Sequence, residues 1–325
     1  MLVIDKNEVS ELLSMEACIG LMETALRDLS AGQAEQQLRS VVPVSQAGLM
    51  GLMPAYLIRQ ELVGAKLISV FPGNHAKGLP SHQGVVALFD ATDGTLNAIV
   101  DGRRLTAIRT AAVSAAATKL LARADARSLA LIGTGEQARS HLEALLLVRP
   151  IELVRAWSPN RAHAVRFASE MAAKYADIRI EVADTAREAV AEADIVCTLT
   201  SSTAPVLEGG WIAEGAHLNA VGACRPADRE LATGIVQRAR LYVDRRESAE
   251  GEAGDYLIPL AEGAIGGDHI VGELGEALAG TVPGRTSDEQ ITLFKSLGLA
   301  VEDLAAAAYV YERAKALGIG TSIAI

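Results

Sequence analysis

From Ser128 onward, short apolar runs alternate with longer segments whose apolar residues recur every three or four positions. SLALIG, ELVRAWS, IRIEVA, DIVCTLT, HLNAVGA and ARLYVD read as strands, and EQARSHLEALLLV, NRAHAVRFASEMAAKY and AREAVAEA as helices. Apolar strands alternating with amphipathic helices predict an α/β fold with a parallel, doubly wound sheet. The stretch EGEAGDYLIPLAEGAIGGDHIVGELGEALAG reads as partly helical and glycine-rich, and ITLFKSLGLAVEDLAAAAYVYERAKALG as a strand and a long helix. Before Ser128 the texture differs. MEACIGLMETALRDLSAG has helical spacing at Cys18, Leu21, Met22, Ala25, Leu26 and Leu29 and stops at Gly32. LRSVVPV, GLMGLMPAYL, LVGAKLISVF and GVVALFDATDGTLNAIV follow as β-like segments, the last folded at Asp93-Gly94. This predicts a small sheet with a flanking helix. LTAIRTAAVSAAATKLLAR reads as a helix capped by Thr106, which puts Arg109 and Thr110 in its first turn.

A chain of 325 residues is too long for one simple core, so two domains are expected. The net charge of −10 argues against general affinity for DNA, RNA or anionic lipid, while a local cluster of cations still suits a small anion. Cys18, Cys197 and Cys224 are far apart and odd in number, which predicts neither a metal site nor a disulfide framework. The opening MLVIDKNEVSELL lacks the apolar stretch of a signal peptide, and no charge-free apolar run reaches 18 residues. A cytoplasmic protein without membrane spans is the expectation.

The run LALI ends in Gly133-Thr134-Gly135-Glu136-Gln137-Ala138 and a helical pattern follows. Strand before and helix after is the context in which such a turn cradles a dinucleotide pyrophosphate. Gly133 permits the turn, Gly135 lets backbone approach the phosphates, and Ala138 stands for the third glycine. The alternative is a plain turn with two glycines. The next strand ends in Ser158-Pro159-Asn160-Arg161 with no carboxylate for ribose hydroxyls. Ser158 and Arg161 suit a 2′-phosphate, so NADP(H) is favoured over NAD(H), with a surface arginine as the alternative. Thr200, Ser201, Val221 and Gly222 follow later strands and are candidates to line the rest of the cofactor.

Arg39, Lys66 and Arg109 stand out among apolar neighbours. Singly, each reads as solvated or salt-bridged; together they are able to clamp a carboxylate. The string GAKLISVFPGN…LPSHQGVVALFDATDGTLNAIVDGRRLTAIRTAAVSAAATKLLAR…LALIGTGEQARSHLEAL, with LNAVGACRPADREL and FKSLGLAVEDLAAA later, resembles the ornithine cyclodeaminase/μ-crystallin family from about Arg39 to Ala314.

That resemblance implies a homodimer. It also implies a smaller α/β substrate-binding and dimerisation domain, residues 1–118 with 300–325, into which a Rossmann domain, residues 119–299, is inserted. It assigns Arg39, Lys66 and Arg109 to a substrate carboxylate, with Lys66 and Arg109 at the reacting centre. It assigns Thr110 and the turn from Gly133 through Thr134, Gly135, Glu136 and Gln137 to Ala138 to the cofactor. His82 falls in a motif near the pocket, where a core role is as well supported as a catalytic one. Two positions depart from ornithine-cyclising members: Cys224 and Met53 stand where those carry acids for the amine chemistry. The chain is therefore more similar to the ketimine and Δ1-pyrroline-2-carboxylate reductases. The expected activity is NAD(P)H-dependent reduction of a cyclic ketimine carboxylate, such as Δ1-pyrroline-2-carboxylate to L-proline. The alternatives are ornithine cyclodeamination, oxidation of a small amino acid, and binding of NADPH and ligand without turnover.

Overall fold

The strand–helix alternation after Ser128 folds, in the computed structural model, into an all-parallel sheet. The structure describes residues 1–45 and 48–324. In space the strands run Arg179–Val182, Leu153–Trp157, Ser128–Ile132, Ile195–Thr198, His217–Ala220, Thr292–Lys295, Arg240–Val243 and Ile270–Glu273, each parallel to its neighbours. The chain order reverses between Ser128–Ile132 and Ile195–Thr198. Such a reversal opens a crevice at the carboxyl ends of the strands. Helices Glu136–Leu146 and Arg161–Lys174 follow the first two strands in sequence, as their apolar spacing predicts. This is the expected Rossmann-type sheet.

One strand of this sheet was not foreseen. Ile270–Glu273, read within a helical and glycine-rich stretch, is the last strand of this sheet. It is four residues long and contains Gly272, so it shows neither a period of two nor a long apolar run.

The N-terminal segments form a second sheet. Gly48–Leu57, Leu62–Val70, His82–Asp90 and Leu96–Asp101 make an antiparallel meander, and Leu2–Ile4 adds in parallel beyond Leu96–Asp101. Ser40–Val44 and Ala34–Gln36 both pair with Gly48–Leu57. Thr321–Ser322 closes the opposite edge on Leu2–Ile4. One face is covered by helices Met15–Ser30 and Ala300–Leu317, which also pack on each other. Ala306, Ala307 and Ala308 are buried there, small enough to bring helix and sheet close. A short helix, Lys6–Leu12, not foreseen from apolar spacing, is fixed by a capping box between Asp5 and Glu8.

The helix predicted from Thr106 begins earlier, at Gly102, and runs to Leu121. Asp101 accepts the Arg104 N–H at 2.7 Å and caps the first turn, so Thr106 lies inside the helix and Arg109 in its second turn. By backbone contacts the chain divides into two compact units, Met1–Arg109 with Gly298–Ile325, and Thr110–Leu297. Among the described residues no helix is long and apolar enough to cross a membrane.

Candidate functional site

Alternation along Leu62–Val70 turns Gly64 and Lys66 toward the helix-covered face. Lys66 is 2% exposed and lies opposite Met53 on one neighbouring strand and Val86 on the other, both buried. An ammonium in that layer needs carboxylate partners. They come from the first turn of Ala300–Leu317. Asp303 Oδ2 lies 2.6 Å from Lys66 Nζ, and Asp303 Oδ1 accepts Arg109 Nε–H at 2.8 Å. Glu302 Oε2 accepts Arg109 Nη1–H at 2.7 Å and the Leu299 N–H at 3.2 Å, joining the helix cap to the guanidinium. Arg39 donates to the Gly298 carbonyl at 3.4 Å, and its charge reaches Lys66. Gly298 has φ +77°, and a Cβ there would fall 2.6 Å from Arg109 Nη1, so the close passage of backbone over the guanidinium requires glycine.

Burial is the main force on Lys66, lowering its pKa to about 8; Asp303 opposes this, while Arg109 and Arg39 add to it. Asp303 is also disfavoured as an anion by burial, but Arg109 and Lys66 outweigh that and hold its carboxyl below the usual range. Burial pushes the nearby Cys18 thiol up. The cluster thus holds three cations and two anions, a surplus of one positive charge while Lys66 is protonated. The three candidate cations do share one site. Glu302 and Asp303 were missed, although adjacent acids in the apolar run AVEDLAAAA, far from any other charge, are a legible signal. His82 is not a member of this cluster. It is exposed, bonded to Ser81 Oγ at 2.9 Å, and four residues (about 13 Å along a strand) from Val86.

In Thr110–Leu297 the glycine turn follows Ser128–Ile132. Gly133 has φ +106°, and a Cβ would meet the Leu199 carbonyl at 2.7 Å, so this glycine serves the turn and its packing. Gly135 is different: it is exposed, and a Cβ there would meet nothing within 4 Å. It begins helix Glu136–Leu146 with no side-chain cap. Open space above uncapped N–H groups fits an anionic pyrophosphate. The buried Gln137 Oε1 lacks a hydrogen-bond partner, a second polar group left for a ligand. Arg139, unforeseen, braces the turn from below by donating to the Thr134 and Gly135 carbonyls. Thr110 is buried in its helix.

Beyond Leu153–Trp157, Ser158 is half-buried and Arg161 opens the next helix, its Nη1 2.8 Å from Asp184 Oδ1. Thr200 and Gly222 are held by a residue the sequence did not suggest. Glu230 is fully buried; its Oε1 accepts both the N–H and hydroxyl of Thr200, and its Oε2 accepts the Gly222 N–H, all at 2.7 Å. Burial pushes Glu230 up, with Lys295 and Thr200 pulling it back. Lys295 pairs with Asp255 at 2.9 Å, whose other oxygen takes the Glu230 and Leu231 N–H groups. Ser201 is exposed and Val221 half-buried at the same strand ends. Cys224 is half-buried, with its thiol near the Val221 carbonyl at 3.5 Å.

The sequence profile of the ornithine cyclodeaminase/mu-crystallin family matches residues 1–318. The ketimine reductase mu-crystallin of Mus musculus is 43% identical over 305 residues, 93% of each chain. The solved structure of Thermococcus litoralis Δ1-pyrroline-2-carboxylate reductase, in complex with NADH and L-proline, superposes with a TM-score of 0.97 at 40% identity, covering 99% of this chain and all of that one. An archaeal alanine dehydrogenase dimer with bound NAD gives 0.94 at 34% identity, covering 100% of this chain and 99% of that one.

Proposed function

This chain belongs to the ornithine cyclodeaminase/mu-crystallin family, and from that premise we propose that it is an NAD(P)H-dependent reductase of a cyclic ketimine monocarboxylate, Δ1-pyrroline-2-carboxylate or a close analogue. The observation that carries the reading is the buried Lys66–Asp303–Arg109–Glu302 cluster with Arg39 beside it. Its single surplus positive charge matches one carboxylate, and the buried Met53 next to Lys66 offers an apolar wall rather than a partner for a second ammonium. Met1–Arg109 with Gly298–Ile325 is the substrate-binding part, and Thr110–Leu297 the cofactor-binding part. Arg39 and Arg109 hold the substrate carboxylate; Lys66 gives its Nζ proton to the imine nitrogen. When bound, NAD(P)H would supply the hydride for the imine carbon. Together hydride and proton convert C=N to CH–NH, and Lys66 recovers its proton from water.

The test is absorbance-followed NADPH and NADH oxidation with Δ1-pyrroline-2-carboxylate, beside ammonia release from L-ornithine and NAD+ reduction with L-alanine. Rapid cofactor oxidation with no ammonia from ornithine is expected. Ammonia and proline from ornithine without net cofactor change, or silence with every ketimine, would overturn the reading.

NADPH is the preferred cofactor, on the support of Ser158, the exposed Arg161 and the missing acid at that strand end; a higher kcat/KM with NADH would reverse this. A homodimer is supported by the sheet face opposite the helices. Alternation and register put Leu52, Leu67 and Val85 in one row there and Val42 and Met50 in the next; Val42 is 63% exposed and Met50 45%. An apolar face of this kind marks an interaction surface, and a second copy presenting the same face closes it symmetrically. Leu52→Lys with Met50→Lys is expected to give a monomer by light scattering; an unchanged dimer mass would refute the surface.

A further inference from the structure

The reading above leaves Asp303 without a role, although it touches both cations of the cluster. We infer that Asp303 is a positioning residue of the proposed reaction: its bridge between Lys66 and Arg109 fixes the ammonium, and makes Lys66 the group that gives the proton. The inference rests on that reading. Its grounds are geometric. Asp303 gives one oxygen to each cation, at 2.6 and 2.8 Å, so the two positive charges share one carboxylate instead of repelling across the layer. Among the described residues Lys66 has one further short-range partner, the Thr106 hydroxyl at 3.5 Å, which is too long to hold Nζ alone. Arg109 is tied by Glu302 as well and keeps its proton under all conditions. The charged groups acting on Lys66 come from three places: Asp303 from Ala300–Leu317, Arg109 from Gly102–Leu121 and Arg39 before Ser40–Val44, while Glu302 pairs with Arg109. Cys18, on Met15–Ser30, stays a neutral thiol.

Burial lowers the Lys66 pKa most, Arg109 and Arg39 add to this, and Asp303 opposes them, leaving it at about 8. Loss of the carboxylate therefore lowers it further, and a nearby opposite charge is worth roughly one to three pH units. In the wild type kcat/KM is expected to fall above about pH 8 as the donor empties. In Asp303→Asn that fall begins roughly one to two units lower, while Glu302→Gln leaves its position within about half a unit, whatever its effect on rate. Asp303→Glu keeps the charge but displaces Nζ: its pH profile stays with the wild type and kcat drops about tenfold or more. If Asp303→Asn does not fold, the Glu variant carries the test.

An independent readout is the 13Cε resonance of Lys66 in lysine-labelled protein, assigned by its loss in Lys66→Met and followed against pH. It moves with Asp303→Asn whether or not a ketimine is reduced, so failure of the inference and of the function are distinguishable. A folded Asp303→Asn with unshifted resonance and pH profile, or an Asp303→Glu with wild-type kcat, would sink the inference.

Discussion

Lys66 and Lys295 invite comparison. Each is a buried lysine on a strand, and each pairs with one aspartate, at 2.6 Å to Asp303 and 2.9 Å to Asp255. Their surroundings set them apart. Lys66 shares its carboxylate with Arg109 and feels Arg39, so burial prevails and its pKa falls to about 8. For Lys295 burial also lowers, but Asp255 and then Cys224 and Glu230 outweigh it and the pKa is raised. The Lys295 cluster holds two carboxylates to one cation, and its acids are satisfied by the N–H groups of Thr200, Gly222, Glu230 and Leu231. That is a structural lock on strand ends. The Lys66 cluster carries surplus positive charge and a lysine able to lose its proton near neutral pH. The same pair type keeps a lysine charged where anions predominate, and eases the loss of its proton where cations do.

The largest effects come from removing each lysine. Lys295→Met leaves Glu230 and Asp255 buried without a cation, which costs about 3–5 kcal/mol and lowers Tm on the order of 10 °C. Lys66→Met leaves Arg39 and Arg109 to balance Glu302 and Asp303, a neutral cluster, so Tm is expected to move by no more than about 3 °C. Its ketimine reduction falls roughly 10²–10⁴-fold with the loss of the general acid. Calorimetry on the two variants, beside the cofactor-oxidation assay, checks the contrast. A Lys66→Met protein as unstable as Lys295→Met would make both clusters scaffolds.

A smaller effect separates the regions by pH. Burial lowers His141 to about 4 and His217 to about 3, so both are neutral in the fold, while in the unfolded chain they charge below about 6.5. Below that pH the unfolded chain binds more protons, and stability falls as pH drops toward 4 and 3, by at most about 1.4 kcal/mol per unit for each histidine. Lys66 works the same way in another window. It is neutral in the fold above about 8, whereas an unfolded lysine holds its proton to about 10.4, so stability rises with pH between those values. Lys295, raised, contributes no slope there. The buried Cys18 and Cys197 thiols act in the opposite sense, because they keep their protons in the fold while unfolded thiols lose them above about 8.5. Thermal unfolding from pH 3 to 10 is expected to show an acid loss that weakens in His217→Gln, and an alkaline loss that is steeper in Lys66→Met than in the wild type. An alkaline loss equally steep in Lys66→Met and the wild type would show that Lys66 keeps its proton in the fold.

The two clusters also differ in how far the sequence disclosed them. Lys66, Arg109 and Arg39 were legible because a cation in an apolar strand or helix is conspicuous. The glycine turn was legible because its strand and helix each keep their own period. Glu302 and Asp303 were read past because acids in a helix's first turn are ordinary partners of its dipole; only the fold turns them inward to Arg109 and Lys66. Glu230 and Asp255 carry no sequence signal: Glu230 lies in the loop after GACRPAD, and its partners Thr200 and Gly222 are 30 and 8 residues away. The start of the helix at Gly102 was hidden because Asp101 reads as the end of a strand and serves also as a cap.

The smallest expected effect lies at the surface, at Arg161. Its pair with Asp184 is 63% and 70% exposed, a kind of contact worth about 0–1 kcal/mol. Arg161 is thus free energetically to turn to another anion. A 2′-phosphate beside it gains one charge-assisted hydrogen bond of about 1.5–3 kcal/mol, less the surface pair it replaces. Arg161→Ala is therefore expected to lower kcat/KM for NADPH about 5- to 30-fold while NADH changes less than about twofold. Asp184→Ala removes the competing carboxylate and raises NADPH use a few-fold at low salt, an advantage that fades as salt screens the exposed charges. Steady-state kinetics with both cofactors at two ionic strengths decide the matter. If Arg161→Ala affects NADPH and NADH alike, the arginine serves the helix start, and the missing carboxylate after Trp157 has no bearing on cofactor choice.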